Sequence, residues 1–430
     1  MKRLRAKLSI FYVSLPIRPI SASFLGFHTS PVSVNFGALS NPSLCNSVIT
    51  SSGFCMATMS PKSLRSIFGF GSEYNQVYSM ESFSEFDVHL DNELQSFQHQ
   101  VFSQFKALSE SQDDEFLSLH WLSNLLEAFI ACHQEFKTIL TKHKVDFTKP
   151  PLDKSLKEFL NRSIKSLDIC NAICYGVEKM KYWHKYLEIV SSALNSEHKN
   201  LISQGQFRRS RKALIDLYNI MYDDSKDSRW FSSSKLKSLK SKDLNRDKWL
   251  SKSLSWSVPS SWSTSKQLQS MAKAHEITNT CGLANVVFTM SFVNLFVLWA
   301  LMAAISSQDK CLHTNISIPR HFLWSTPFSL IYVRIMDEFK KRDSKNNVGL
   351  LKENYQMEKS IRFVANLVDY AHEFSLTKEQ RAKVELGVNE VELVNDVYEN
   401  WLHPLECQVR LVFREIMSIR LEGLEIFTRS

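Results

Sequence analysis

The chain has 430 residues, with only 11 glycines and 11 prolines, and a formal net charge of +8 at neutral pH. So few glycines and prolines exclude an all-β protein built on tight turns and argue against a glycine-rich nucleotide-binding fold. Residues 1–72 contain seven lysines and arginines and no acid, so the remainder is nearly neutral and its charge gives no reason to expect nucleic-acid binding.

The acid-free N-terminal extension, residues 1–72, is rich in serine, leucine and phenylalanine over its first 55 positions. This composition is typical of an organellar transit peptide. It also fits an upstream extension from a misassigned start, because Met56 and Met59 lie just before the first helical pattern. A plain disordered tail is the third interpretation.

Residues 73–222 carry helical periodicity, and we predict an N-terminal helical region there. Apolar positions recur at spacings of three, four and seven from Leu90 onward, and a second stripe at 119–140 includes His133. A histidine on such a stripe is far more often a core residue than a ligand, so we predict that His133 is buried. Two prolines at 150–151 end this pattern, and a long helix follows.

The segment 223–255 loses all apolar periodicity. Between residues 225 and 252 there are nine lysines and arginines against three aspartates, interleaved with serines. Such a segment buries too little apolar surface to offset the entropy of ordering, so we predict a basic Ser/Lys-rich linker. The functional alternative is a basic patch that contacts anionic lipid or an acidic partner.

A C-terminal helical region, 256–425, includes an almost continuously apolar run at 281–305. At about 1.5 Å per residue, a helix of this length could cross a hydrocarbon layer of about 30 Å. The run therefore predicts either a single transmembrane helix or the very apolar central helix of a bundle. We favour the central helix, because Asn285 and Asn294 would be costly against lipid and the flanking amphipathic helices need partners. We single out three residues of this helix: Leu295, Leu298 and Trp299.

The last helical segment, 384–420, carries an apolar stripe whose positions alternate by three and four. Asn395 is its one clearly polar member, and in a coiled-coil seam such an asparagine sets register or partner number. The stripe either packs within the chain or binds a helical partner. The candidate partner-binding residues are Asn395, Val412 and Ile416.

Two local signals bound this last segment. The sequence Thr377-Lys-Glu-Gln380 has the form of a capping box, which predicts a helix start. Pro404 predicts a kink or break near 401–405. Together with the preceding patterns, these signals predict an all-α fold, an elongated multi-helix bundle with seven or eight helices.

The sequence lacks the common catalytic and cofactor-binding motifs, including the P-loop, the dinucleotide-binding glycine motif, His-Glu-x-x-His and Gly-x-Ser-x-Gly. Cys170 and Cys174 have no second cysteine pair that would complete a zinc site. We therefore predict no enzymatic activity, no cofactor, no metal and no small-molecule substrate. The eight unevenly spaced cysteines indicate a reduced, intracellular protein.

Six blocks of sequence resemble one plant family, the BYPASS-related proteins, and especially its ROH branch. In chain order they are Asn75–Glu81 with Glu93–Val101, Leu167–Ile173 with Gly176–Glu178, Arg211–Leu217, Ser255–Ser263 with Lys266–Leu268, the apolar run with Ser317–Arg320, and Pro404–Arg410 with Arg420–Leu424. The resemblance covers about 73–425. No single block is diagnostic of the family; the order and coverage of the blocks are.

This resemblance implies a non-enzymatic plant protein, because the family has no known catalytic residues. The ROH branch is associated with the exocyst, the vesicle-tethering complex, in polarised secretion such as seed-coat mucilage deposition, which implies an exocyst subunit as the partner. The alternative is the role of the BYPASS branch, which restrains a root-derived signal that arrests growth. The expected location is a membrane, or the cytoplasm with membrane association, or a plastid if residues 1–55 are a transit peptide.

Overall fold

A computed structural model describes residues 85–195, 203–222, 263–273, 282–305, 314–342, 348–370 and 377–429. All of them fall in one compact unit, 80–430. The extension 1–72 and the linker 223–255 of the sequence analysis lie outside the described residues. Within the described ranges the chain forms nine α-helices and no strand, so the all-α prediction is confirmed, whereas the predicted count of seven or eight helices is too low.

The helices are α1 Glu85–Ser109, α2 Leu119–Lys142, α3 Leu152–Leu194, α4 Gln204–Tyr222, α5 Thr264–Lys273, α6 Leu283–Ile305, α7 Ser325–Lys341, α8 Lys352–Tyr370 and α9 Lys378–Arg429, with a 3-10 turn at Asp146–Thr148. The two longest are α3 with 43 residues and α9 with 52 residues. At 1.5 Å per residue, α9 is about 78 Å long. It packs along α2, α3 and α8.

The start of α9 is the capping box that the sequence predicts. The backbone amide of Gln380 donates to Thr377 Oγ1 at 3.2 Å, and the amide of Thr377 donates to Gln380 Oε1 at 3.0 Å. These two bonds satisfy amides that the first turn of a helix leaves without partners.

Of the kink or break predicted near 401–405, the break does not occur, because α9 continues through Pro404 as one helix, and the kink stays a prediction. A proline removes one backbone donor, so the carbonyl four residues earlier loses its partner. That carbonyl belongs to Asn400, an exposed residue, so water can replace the missing amide. Leu402 and Leu405 are both buried, and their packing holds the helix in place on either side of the proline.

The apolar helix α6 lies at the centre of the bundle. It packs against α1, α2, α3 and α5, and 20 of its 23 residues are buried. Its aromatic side chains also contact α7 and the residue before it: the ring centroids of Phe296 and Phe328 are 4.6 Å apart, and those of Phe292 and Trp324 are 4.9 Å apart. By length and composition α6 could cross a membrane, yet 94% of its most apolar window is buried inside the protein.

The segment 348–351 closes the C-terminal end of α6. The last carbonyls of a helix have no partner within it. Here the amides of Leu350 and Leu351 donate to the carbonyls of Ala303 and Ala304, both at 3.0 Å. Gly349 makes this approach feasible, because its φ is +77° and a Cβ atom there would overlap the Ala304 carbonyl oxygen. The end of α6 is therefore hydrogen-bonded to protein.

The start of α8 extends these contacts to other helices. The Leu119 amide, at the start of α2, donates to Glu353 Oε1 at 3.0 Å, and burial raises the pKa of Glu353. The Tyr398 hydroxyl on α9 donates to Asn354 Oδ1 at 2.7 Å, and Asn354 Nδ2 in turn donates to the Val348 carbonyl at 2.7 Å. The segment 348–354 consequently joins α2, α6, α8 and α9.

Candidate functional site

The structure places two of the three candidate partner-binding residues inside the bundle. Val412 and Ile416 are 1% and 2% exposed, on the helix that packs along α2 and α3. A partner contact at these side chains therefore stays a prediction, and it would require α9 to separate from the bundle. Asn395, the third residue, is 8% exposed and lines a surface cleft.

Changing Val412 and Ile416 together to aspartate is expected to unfold the protein. Each substitution would bury a charge without a partner, at a cost of about 3–5 kcal/mol. Loss of the helical signal in circular dichroism measures the effect. The matched control is the same double change at Leu393 and Leu421, which are 68% and 46% exposed and should keep the fold. A folded Val412→Asp, Ile416→Asp protein that loses its partner would instead identify a binding face.

The residues singled out on the apolar helix are core residues. Leu295, Leu298 and Trp299 are at most 1% exposed, and the Trp299 ring stacks on Tyr332 of α7 with centroids 5.1 Å apart. Their contacts are with neighbouring helices of the same chain. They position the bundle and present no surface to a ligand.

The polar groups of α6 also face protein. Gln98 of α1 donates through Nε2 to Thr289 Oγ1 at 3.0 Å. His133 is buried as predicted, and its Nδ1–H donates to the Phe129 carbonyl at 2.9 Å. Burial lowers the pKa of His133 to about 4, an effect that the Phe129 carbonyl and the neighbouring Asn294 side chain partly oppose. The ring is therefore neutral at physiological pH.

An open cleft of about 310 Å³ lies between α3 and α9, and we refer to it as the acidic cleft. Its lining residues are His184, Glu188 and Ser191 of α3 with Glu392, Asn395, Asp396 and Glu399 of α9. Residues spaced by three, four or seven share one face of a helix, so each set projects toward the cleft together. The cleft is thus built on two long, rigid helices.

Four carboxylates surround this cleft, and none of them forms an ion pair with a lysine or arginine of the described ranges. Glu188 Oε1 lies 4.0 Å from His184 Nε2, and Glu392 Oε1 accepts a hydrogen bond from Asn195 Nδ2 at 2.9 Å. Asp396 and Glu399 are exposed. Like charges that line one cleft repel one another and favour an arriving cation.

The floor of the acidic cleft contains two polar atoms that lack hydrogen-bond partners. They are Asn395 Oδ1 and His184 Nε2, and both are buried. The His184 ring is held edge-on to Tyr398, with centroids 6.2 Å apart. Buried polar groups are normally hydrogen-bonded, so Asn395 Oδ1, an acceptor, indicates a place where a ligand could supply a donor. No group of three His, Cys, Asp or Glu side chains that could hold a metal ion occurs in the described part of the chain.

The acidic cleft was missed by sequence analysis except for Asn395. Its two halves are separated by about two hundred positions, so their meeting depends on how α3 and α9 pair. One signal was present: Glu392, Asp396 and Glu399 follow helical spacing beside Asn395. An acidic stripe on a helix usually faces solvent, and only the packing shows that this one borders a cleft.

Comparisons with known proteins give one family. The family model described as "Protein ROH1-like" matches residues 58–427. Protein ROH1D of Arabidopsis thaliana is 41% identical over 353 residues, covering 78% of this chain and 88% of that protein. Protein ROH1A of the same plant is 29% identical over 349 residues, covering 75% and 83%. The Arabidopsis thaliana protein named "BPS1, chloroplastic" is 23% identical over 142 residues, covering 33% of this chain and 40% of that protein. No solved structure matches.

Proposed function

Because this chain belongs to the ROH1-like family, we propose that it is a non-enzymatic interaction protein that associates with the exocyst and influences polarised secretion. The observation that carries the proposal is the acidic cleft. It offers negative charge and hydrogen-bond acceptors on two rigid helices and stands open to solvent. That arrangement suits recognition of another protein's surface.

The proposal places α6 inside the folded protein, with membrane association arising through the partner. Burial of α6 among α1, α2, α3 and α5 supports this, as does the hydrogen-bonded end of the helix at Leu350 and Leu351. In lipid, Thr289 and the last carbonyls of α6 would lose these protein partners, and an unpaired polar group in lipid is costly. The alternative is a single-pass protein anchored by the same helix.

Affinity purification of a tagged full-length chain from plant cells tests this proposal. We expect exocyst subunits to be recovered with it and identified by mass spectrometry. We also expect alkaline carbonate to release the protein from membranes, because its attachment is through another protein. Absence of exocyst subunits would refute the proposed association, and retention in the carbonate pellet would favour the anchored alternative.

A second candidate function is a BYPASS-like regulator of a root-derived growth-arresting signal, acting from a plastid. Two observations favour it: the similarity to BPS1, whose name includes chloroplastic, and the acid-free composition of 1–72. Comparing the size and location of a tagged full-length chain with those of a chain starting at Met59 tests for import into a plastid. Plastid import would shorten the full-length chain and separate the two locations, whereas equal sizes and equal locations would argue against it.

A further inference from the structure

We propose that the acidic cleft between α3 and α9 binds an arginine-bearing basic segment of a partner protein. The inference rests on the proposed function, since it names the chemistry of the segment through which the partner is held. It assigns the recognition to side chains that lie 8% exposed or more at the surface, and leaves the buried stripe of α9 as core.

The charge of the cleft selects a cation. Glu188, Glu392, Asp396 and Glu399 border a volume of about 310 Å³, and the described residues supply no lysine or arginine to neutralise them. Four carboxylates that lack a lysine or arginine partner within the described ranges raise the local concentration of positive groups and speed their association. A basic segment entering the cleft would relieve their mutual repulsion.

The floor of the cleft selects arginine among cations. Asn395 is 8% exposed, and its Oδ1, which can only accept a hydrogen bond, has no partner. A guanidinium carries five donors in a planar fork, so it can bind a rim carboxylate and still donate to an acceptor on the floor. The ammonium of a lysine acts as a compact point charge, so it is less suited to binding a rim carboxylate and the floor acceptor together.

The size of the cleft fits a short segment. From Glu392 to Glu399 the helix rises about 10 Å, which corresponds to about three residues of an extended chain. Arginines two positions apart on an extended segment point the same way, and both can therefore reach the acidic face. The chain's own basic stretch at 225–252 has seven lysines and two arginines, so it matches this chemistry less well than an arginine-bearing partner.

Binding of a fluorescein-labelled peptide, Gly-Arg-Ser-Arg-Gly, to the purified full-length protein tests the inference by fluorescence anisotropy at low salt. The cleft variant is Asp396→Asn with Glu399→Gln, both at exposed positions. We expect it to bind the peptide about tenfold more weakly than the unchanged protein, corresponding to about 1.4 kcal/mol. The control Asp114→Asn with Glu115→Gln removes the same charge elsewhere and should bind as the unchanged protein does.

A second peptide, with both arginines replaced by neutral citrulline, should not bind. Equal binding of the citrulline peptide, or equal weakening by the cleft and control variants, would overturn the inference. Tighter peptide binding after Lys235, Lys237, Lys240 and Lys242 are changed to glutamine would identify the chain's own basic stretch as the occupant and overturn the assignment to a partner.

The peptide assay tests the cleft inference and the purification from plant cells tests the exocyst association, so either claim can be refuted without the other. Peptide binding that the cleft variant weakens, without recovery of exocyst subunits, would refute the exocyst association and leave the cleft as a site for a different basic partner. Recovery of exocyst subunits with no measurable peptide binding would refute the cleft inference and leave the proposed function standing.

Discussion

Replacing Leu298 with aspartate is expected to prevent stable folding. The Leu298 side chain is fully buried in α6, within the apolar core of the bundle. An aspartate there would be either charged without a partner or protonated, and the uncompensated charge costs about 3–5 kcal/mol. Loss of leucine contacts adds about 2–5 kcal/mol, the usual range for truncating a core leucine. Together these terms reach the whole stability of a typical domain, about 5–15 kcal/mol.

The matched control is Leu330→Asp on α7, where the leucine is 49% exposed. That substitution should change stability by less than about 1 kcal/mol, since an exposed aspartate stays hydrated and loses only helix propensity. Soluble yield and far-ultraviolet circular dichroism of both variants measure the difference. A milder change, Leu298→Ala, should remain folded and lose about 2–5 kcal/mol in urea unfolding. If Leu298→Asp folded as well as Leu330→Asp, the central position of α6 would be wrong.

Replacing Gly349 with alanine is expected to destabilise the protein strongly through the end of α6. The backbone at Gly349 has a φ of +77°, where an alanine costs about 1–2 kcal/mol. In addition, its Cβ would overlap the Ala304 carbonyl oxygen and lie 3.0 Å from the Ile305 carbonyl carbon. These are backbone atoms of a packed helix, which yield poorly, and such overpacking costs about 1–3 kcal/mol more.

Gly282, at the other end of α6, supplies the control for this prediction. Its φ is +58°, yet a Cβ atom there would meet nothing within 4 Å. Gly282→Ala should therefore lose only the conformational term, about 1–2 kcal/mol. Urea unfolding of both variants, followed by circular dichroism, separates the two contributions. Equal losses would mean that the close approach of 349 to the end of α6 does not contribute to stability.

Much of the fold could be predicted from sequence because helical stripes are local. The stripe at 119–140 and the capping box at Thr377 both appear in the structure as α2 and the start of α9. The resemblance to the ROH branch is confirmed by the family match over 58–427. Length and composition alone could not decide where α6 lies, because a spanning helix and a central core helix satisfy the same tests.

The remaining features depend on which helices meet. The acidic cleft requires α3 and α9 to lie side by side, and no periodicity reports that pairing. The segment 348–354 has no helical stripe at its start, yet Gly349, Leu350 and Leu351 complete the end of α6. Pro404 predicts a kink or a break, and no break occurs because the side chains of α9 pack on both sides of the proline, so tertiary contacts outweigh the local rule.

The position of α6 along the chain affects how soon this helix can be buried during synthesis. A 23-residue apolar helix leaving a ribosome is a substrate for chaperones and for membrane-insertion machinery. Four of its packing partners, α1, α2, α3 and α5, precede it in the chain and have already emerged. They can cover the apolar surface of α6 as soon as it emerges. At a synthesis rate of about 5–20 residues per second, the segment around Gly349 follows Ile305 by roughly two to ten seconds. The order of the helices along the chain thus allows α6 to be buried in the bundle before it is inserted into a membrane.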